Sequence, residues 1–444
     1  MNKKKMIFLS ILWAIAFIII VIAVLMTSSS ENATTGTKKT SDNFKIWILS
    51  DSKDDFALFI EDFKALSWNK NFSATIESFS DYEEYNKALA SAIIKWEAPD
   101  LYMLNNNEKS IFLENAIWID PNIISPDELR SYFKPFFWDD LILSSGDGDE
   151  KIEFLVWVPF WFETLWLYYN RKVWDIKKLS SFTKMQQLIE DKKESNPWIV
   201  PLWIGRWNTV QNSEDIITQF IMSRSVKNIS SISSSDIKSA FSEYFDYASG
   251  DNSYIKVENI LSKSSRTNLD YFTDWKIYTI FGYPSMLEKI SNIGFSKWLL
   301  GVVNFPEFIN GGDTLVNYNY FVLNKNSKNK EIAYDFLKYI YSEEWEKAYL
   351  SHLKYYLPAR LSVYSELKDR KINDNFNVKL KNFYNSEATY SSFDKWLKWI
   401  YDKEIINILD NEVWYLENML KFWLNMKCKV SKIIKLENLS KTCE

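Results

Sequence analysis

Few side chains here could do chemistry beyond hydrogen bonding. The chain has one histidine, His352, which removes most metal-ligand, catalytic-triad and general-base arrangements. Its two cysteines, Cys428 and Cys443, both lie near the C-terminus. They exclude a disulfide scaffold and a four-cysteine zinc site. HExxH, GxSxG and the phosphate-cradling GxxxxGK(S/T) do not occur. The carboxylate pairs Asp54-Asp55 and Asp139-Asp140 are adjacent and read as solvated charges at turns or helix starts. A glycosidase needs two placed carboxylates, and that is the enzyme reading left open. No metal or cofactor is expected. One carboxylate stands apart: Glu163 sits alone among apolar residues in PFWFETLWL. Burying an unpaired charge is costly, so Glu163 calls for a partner.

The stretch around it, Ile152 to Asp175, begins as an apolar β-branched and aromatic run, a buried-strand pattern. Pro159 interrupts it, since proline has no N–H for a ladder. LYYN then returns to strand character. Upstream, from Phe44, strand and helix patterns alternate: FKIWILS, a helix with Phe56, Ile60, Phe63 and Leu66, FSATIESF, a helix with Tyr82, Tyr85, Leu89 and Ile93, then LYML. This order predicts a parallel sheet with helices on its faces. Ligands bind such sheets at the carboxyl ends of the strands, which points to Asp51, Asn105, Asn106 and Asn107. Asp51 is equally well read as a helix N-cap, and the asparagines as an ordinary polar loop. Downstream, helices are expected over Phe182–Glu194, Asp215–Met222, Asp236–Ser249 and Tyr254–Phe272, and strands over IVPLWIGR and KIYTIFGYPSM.

Val158, Pro159, Glu163, Leu165, Leu167, Tyr169 and Asn170 together resemble the V-P-x-x-x-E-x-L-x-L-x-Y-N-like run of extracellular solute-binding proteins of ABC importers, the family that includes maltose-binding protein. There this run carries the chain from one lobe to the other. EAPDLYML, the turn Ser327-Lys328-Asn329 with the helix bearing Ala333, Phe336, Leu337 and Ile340, and YLPAR at Tyr356 to Arg360 resemble further family segments, in the family's order over roughly residues 43 to 425. The resemblance implies an α/β, two-lobed, type II periplasmic-binding-protein-like fold. The first lobe would take 43–157 plus 308–344 and the second 158–307 plus 345–426. It also implies a ligand site between the lobes containing Asp51, Asn105, Asn106, Glu163, Asn208, Tyr283, Asn319 and Arg360. Tyr283 matches the family's ligand-facing aromatic, with a buried core tyrosine as the alternative. Arg360 would meet a ligand hydroxyl or carboxylate, or else form a structural ion pair. A sugar or oligosaccharide is the implied solute and an ABC permease the implied partner. The alternatives are a tethered sensor for a signalling partner and a glycoside hydrolase.

Met6 to Met26 is an uncharged run, apolar except for Ser10. As a helix it would span about 31 Å, the thickness of a bilayer's hydrocarbon core. Lys3, Lys4 and Lys5 precede it, so the positive-inside rule puts the N-terminus in the cytoplasm and the main domain outside. An uncleaved membrane helix is expected, with a cleaved signal peptide as the alternative. Residues 27–42 form a Ser/Thr-rich linker of about 22 Å r.m.s. span. The basic tail from 427 carries Cys428 and Cys443, as a pair or as free thiols. A net charge of −5 gives no electrostatic case for nucleic acid. A monomer is expected.

The chain has 20 Trp and 10 Gly, where ordinary usage at ~7% would give about 31 glycines. Several tryptophans occupy turn-like contexts: Lys95-Trp96-Glu97, Pro197-Trp198, Arg206-Trp207-Asn208 and Asp274-Trp275-Lys276. Some bacterial lineages read UGA as glycine and others as tryptophan, and a swapped reading would produce this composition. Backbone of glycine type is therefore expected at some of these positions, and Trp161 and Trp207 are not counted as sugar-stacking platforms.

Overall fold

The computed structural model describes residues 44–49, 53–66, 72–108, 115–145, 152–159, 161–172, 179–195, 204, 210–228, 231–249, 267–293, 299–308, 311–352, 356–369, 390–395, 401–403 and 405–406. The chain divides into Met1–Ser41 and Asp42–Glu444, and the described residues belong to the second unit. The expected membrane helix, the linker, the tail with its two cysteines, Asp51 and Asn208 lie outside them. Among the described residues no helix is long and apolar enough to cross a membrane.

Strand β1 (Phe44–Leu49) alternates buried and less buried positions and pairs in parallel with β2 (Ala74–Phe79) and β3 (Leu101–Asn105). The connecting helices Lys53–Ala65 and Tyr82–Ile94 fall where the apolar spacing puts them. The second begins at Asp81, whose carboxylate accepts from the Glu84 N–H at 2.8 Å, and buries Tyr85, Leu89 and Ala92 on one face. A short hairpin, β4 (Ile142–Ser145) and β5 (Ile152–Leu155), follows. Then come β6 (Trp157–Pro159), β7 (Trp161–Thr164) and β8 (Trp166–Asn170) in quick succession.

The first sheet runs β2-β1-β3-β12-β6, where β12 is Asn319–Leu323. It is mixed rather than wholly parallel, because β12 is antiparallel to both β3 and β6. The reason is the route of the chain: β12 does not arrive by a helical crossover but returns directly from β11 (Thr314–Asn317). The second sheet is antiparallel, with the fully buried β8 between β9 (Thr279–Gly282) and β10 (Leu300–Asn304). Gly301 lies opposite Tyr169, and a Cβ there would fall 2.1 Å from the tyrosine ring, so the ring's position requires glycine. A third sheet, β13-β7-β11-β14, with β13 at Leu357–Pro358 and β14 at Tyr390–Ser391, contains the two strands, β7 and β11, through which the chain crosses from one of these sheets to the other.

Two segments distant in sequence are tied together at Asp100. Its carboxylate accepts from the Lys45 N–H at 2.9 Å, from Ser327 Oγ at 2.6 Å and from Asn329 Nδ2 at 3.2 Å. The turn Ser327–Asn329 thereby fixes the start of the helix Lys330–Ile340, which buries Ala333, Phe336, Leu337 and Ile340. Phe336 packs on Phe63 and Phe72 with ring centroids 5.0 and 6.0 Å away, closing the core over β1. Asp140 corrects the solvated reading given above. It is buried and accepts from Tyr318 Oη at 2.6 Å and Ser392 Oγ at 2.7 Å, whereas Asp139 is exposed.

Candidate functional site

The polar groups converge at β7 and β11, the crossing strands that link the first and second sheets along the chain. Glu163 on β7 is the register partner of Asn317 on β11, and directly opposed residues share a sheet face. Asn317 is buried and bound from several sides. Asn107 Nδ2 donates to its Oδ1 at 2.8 Å, while its own Nδ2 donates to Tyr283 Oη and reaches Asp215 Oδ2 at 3.5 Å. Tyr283 Oη donates to Asp215 Oδ2 at 2.7 Å. The other carboxylate oxygen of Asp215 accepts from Lys395 Nζ at 2.6 Å, and Lys395 also donates to Asp402 at 2.8 Å. The Lys395 backbone N–H returns to the Asn107 carbonyl at 2.9 Å. Asn107 follows β3, Asn317 ends β11, and Asp215 sits in the first turn of the helix Ser213–Met222. Tyr283 follows β9. A single hydrogen-bonded cluster therefore joins the first sheet, the crossing strands and the second sheet.

Its electrostatics follow from burial and charge. Burial, then the neighbouring carboxylates of Asp215 and Glu163, push the Tyr283 phenol well above its ordinary value. Tyr168, whose hydroxyl donates to the Tyr283 carbonyl at 2.7 Å, is raised by burial and by Glu163. Both tyrosines stay protonated donors at neutral pH, and Glu163 is within electrostatic reach of both. Lys395 is fully buried, yet two carboxylates meet it, which offsets the cost of taking the ammonium out of water. Glu163 is partly exposed, whereas Asn107, Asn317, Tyr283, Asp215 and Lys395 behind it are buried.

The site residues expected from the sequence fare differently. Glu163 and Tyr283 are brought together at the crossing. Asn105 donates to Asn319 Oδ1 at 3.0 Å, so the two buried amides bind each other across β3 and β12. Asn106 is also buried; its amide donates to the Val316 carbonyl at 3.0 Å and accepts from the Tyr318 N–H at 2.9 Å, as a peptide group of a neighbouring strand would. Arg360 sits elsewhere, with the rings of Tyr132, Phe133 and Tyr341 4.7 to 5.1 Å from its guanidinium carbon. It donates to the Tyr341 carbonyl and lies 3.8 Å from Glu346. Burial raises the Glu346 carboxyl to about 8. Arg360 thus fastens β13 to the helices around it.

Asp215, Asn317 and Lys395 were not singled out from the sequence. Asn317 carried a legible signal, two residues before Asn319 in NYN, since alternate strand positions share a face. Lys395 carried none: one lysine in an aromatic segment reads as solvated. Trp161 is buried, with its ring 4.0 Å from that of Tyr356. Among the described residues no group of three or more His, Cys, Asp or Glu side chains could hold a metal ion.

A family model for bacterial extracellular solute-binding proteins matches residues 59–378. No curated protein matches the chain. Among solved structures the chain is similar to the GacH receptor of Streptomyces glaucescens GLA.O, determined unliganded and in complex with acarbose and an acarbose homolog. The TM-score is 0.57 at 16% identity, over 89% of this chain and 99% of the receptor. At that identity the likeness concerns the fold.

Proposed function

Because the chain belongs to the bacterial extracellular solute-binding proteins, and is thus a binding protein rather than an enzyme, we propose that it captures a sugar or oligosaccharide at the crossing strands and delivers it to an ABC permease. The observation that carries this reading is the placement of Glu163. It is a partly exposed carboxylate on a crossing strand, backed by the buried Asn317, Tyr283 and Asp215. Carboxylate oxygens accept from sugar hydroxyls in charge-assisted hydrogen bonds, which are the stronger kind. The resemblance to the receptor that was solved with acarbose supports a carbohydrate.

In this reading one lobe is built around the first sheet and the other around the second, with Trp345 and Arg360 packed on the first through Phe59 and Phe133. The solute selects the closed arrangement because there it contacts both lobes. Met6 to Met26 tethers the domain to the membrane, with residues 27–42 as spacer. A thermal-shift screen of sugars, peptides and small anions tests the solute class. A ligand at roughly 100 times its Kd adds about 2.7 kcal/mol of stability. Sugars are expected to raise the melting temperature; a rise with peptides or anions and none with sugars overturns the carbohydrate reading.

A further inference from the structure

The structure assigns glycine to positions 96 and 275: we propose that the protein made in its own cell carries glycine there, inserted at UGA triplets that a tryptophan-reading code renders as Trp96 and Trp275. The inference rests on backbone geometry at two independent helix ends. The helix Tyr82–Ile94 is capped by Lys95, and Trp96 follows with φ 61°. The Trp96 N–H donates to the Ile93 carbonyl at 3.1 Å and the Glu97 N–H to the Ala92 carbonyl at 2.8 Å. The helix Asn268–Thr273 is capped by Asp274, and Trp275 follows with φ 65°. There the Trp275 N–H donates to the Phe272 carbonyl at 3.1 Å and the Lys276 N–H to the Tyr271 carbonyl at 3.0 Å. Both are complete Schellman motifs, and in both the left-handed residue just past the cap is tryptophan. That position is the usual place of glycine, because any Cβ there crowds the following carbonyl.

Nothing at Trp96 compensates for the strain, since the side chain is 78% exposed. Among the described residues the other left-handed non-glycine positions are Asn212 and Ser225. Asparagine tolerates this region, whereas for a bulky residue it is an outlier. A third observation points the same way. The Trp157 indole N–H is buried in the first sheet without a hydrogen-bond partner, although buried indoles usually find one. Composition agrees: pooling the 20 Trp with the 10 Gly brings the chain to an ordinary glycine content. The consequence reaches the ligand site. If Trp161 follows the same rule, the face of Tyr356 that its indole now covers at 4.0 Å is opened beside the crossing strands.

Coding DNA from the source and peptide masses of the native full-length protein test the proposal. UGA at codons 96 and 275, with glycine masses in the spanning peptides, is expected; UGG at these codons, or tryptophan mass in the native peptides, overturns it. A physical readout stands beside these. In the tryptophan-bearing full chain, Trp96→Gly is expected to raise the folding equilibrium constant roughly fivefold, the relief of left-handed strain less the extra chain entropy of glycine. Trp96→Ala, which keeps the Cβ, does not reproduce the gain. Equal effects of the two substitutions, or a loss with glycine, overturn the geometric argument.

Discussion

Lys395→Met is the most telling perturbation of the crossing cluster. In the folded protein the ammonium has no solvent exposure and holds Asp215 at 2.6 Å and Asp402 at 2.8 Å. Methionine fills much the same volume but supplies no charge. Asp215, itself 2% exposed, would then be a buried carboxylate that has lost the ammonium at 2.6 Å. Removing one partner of a buried pair typically costs about 3–5 kcal/mol, most of it the stranding of the other charge. Asp402 is less buried, at 15% side-chain exposure, and can be met by water, so the effect should fall near 3 kcal/mol, the lower end of that range. The assay is urea denaturation of the extracytoplasmic domain followed by tryptophan fluorescence, with the midpoint as readout. Asp215→Asn added to Lys395→Met should recover part of the loss, because the stranded charge is gone; the two residues are in contact and should not behave additively. A loss below about 1 kcal/mol, the scale of an exposed pair, together with no recovery in the double variant, would refute the buried-pair reasoning.

Three further outcomes are expected. Glu163→Gln should weaken solute binding by about 1.5–3 kcal/mol, the range for hydrogen bonds to charged groups, measured by titration calorimetry with a solute from the thermal-shift screen. Unchanged affinity with a lowered melting temperature would make Glu163 purely structural. Glu346, raised by burial from 4.5 to about 8, holds its proton longer in the folded state than in the unfolded chain. Its contribution is therefore full below about pH 4.5 and lost as pH rises through 8. Glu346→Gln should flatten the fall of melting temperature over that window, and an unchanged slope would remove Glu346 as its source. For the tether, N-terminal sequencing of the membrane-extracted native protein should begin at the first residues of the chain; a start between 27 and 42 would mean a cleaved signal peptide.

Those parts of the protein that depend on local order were legible in its residues alone. Apolar periodicity located β1, β2, β3 and the two helices between them, because a helix or strand must turn one face to the core and that face shows in the spacing. Resemblance in ordered segments gave the family, and Glu163 stood out because a lone carboxylate in an apolar run has to be accounted for. The excess of tryptophan in turn-like contexts was legible as well, though left-handed geometry became specific to Trp96 and Trp275 only in the folded backbone. Tertiary structure alone decided what the polar residues do. The sequence offered Asn105, Asn106 and Asn319 as ligand groups; in the fold β11 and β12, more than two hundred residues after β3, return beside it, where Asn105 binds Asn319 on β12 and Asn106 binds the Val316 carbonyl on β11. Arg360 looked equally available, and the rings of Tyr132, Phe133 and Tyr341 enclose it. Lys395 carried no signal in the sequence, and its ammonium is buried against Asp215 at the crossing. A hydrogen bond or ion pair depends on which chain segments meet, and residues separated by most of the sequence leave no periodic trace of that meeting.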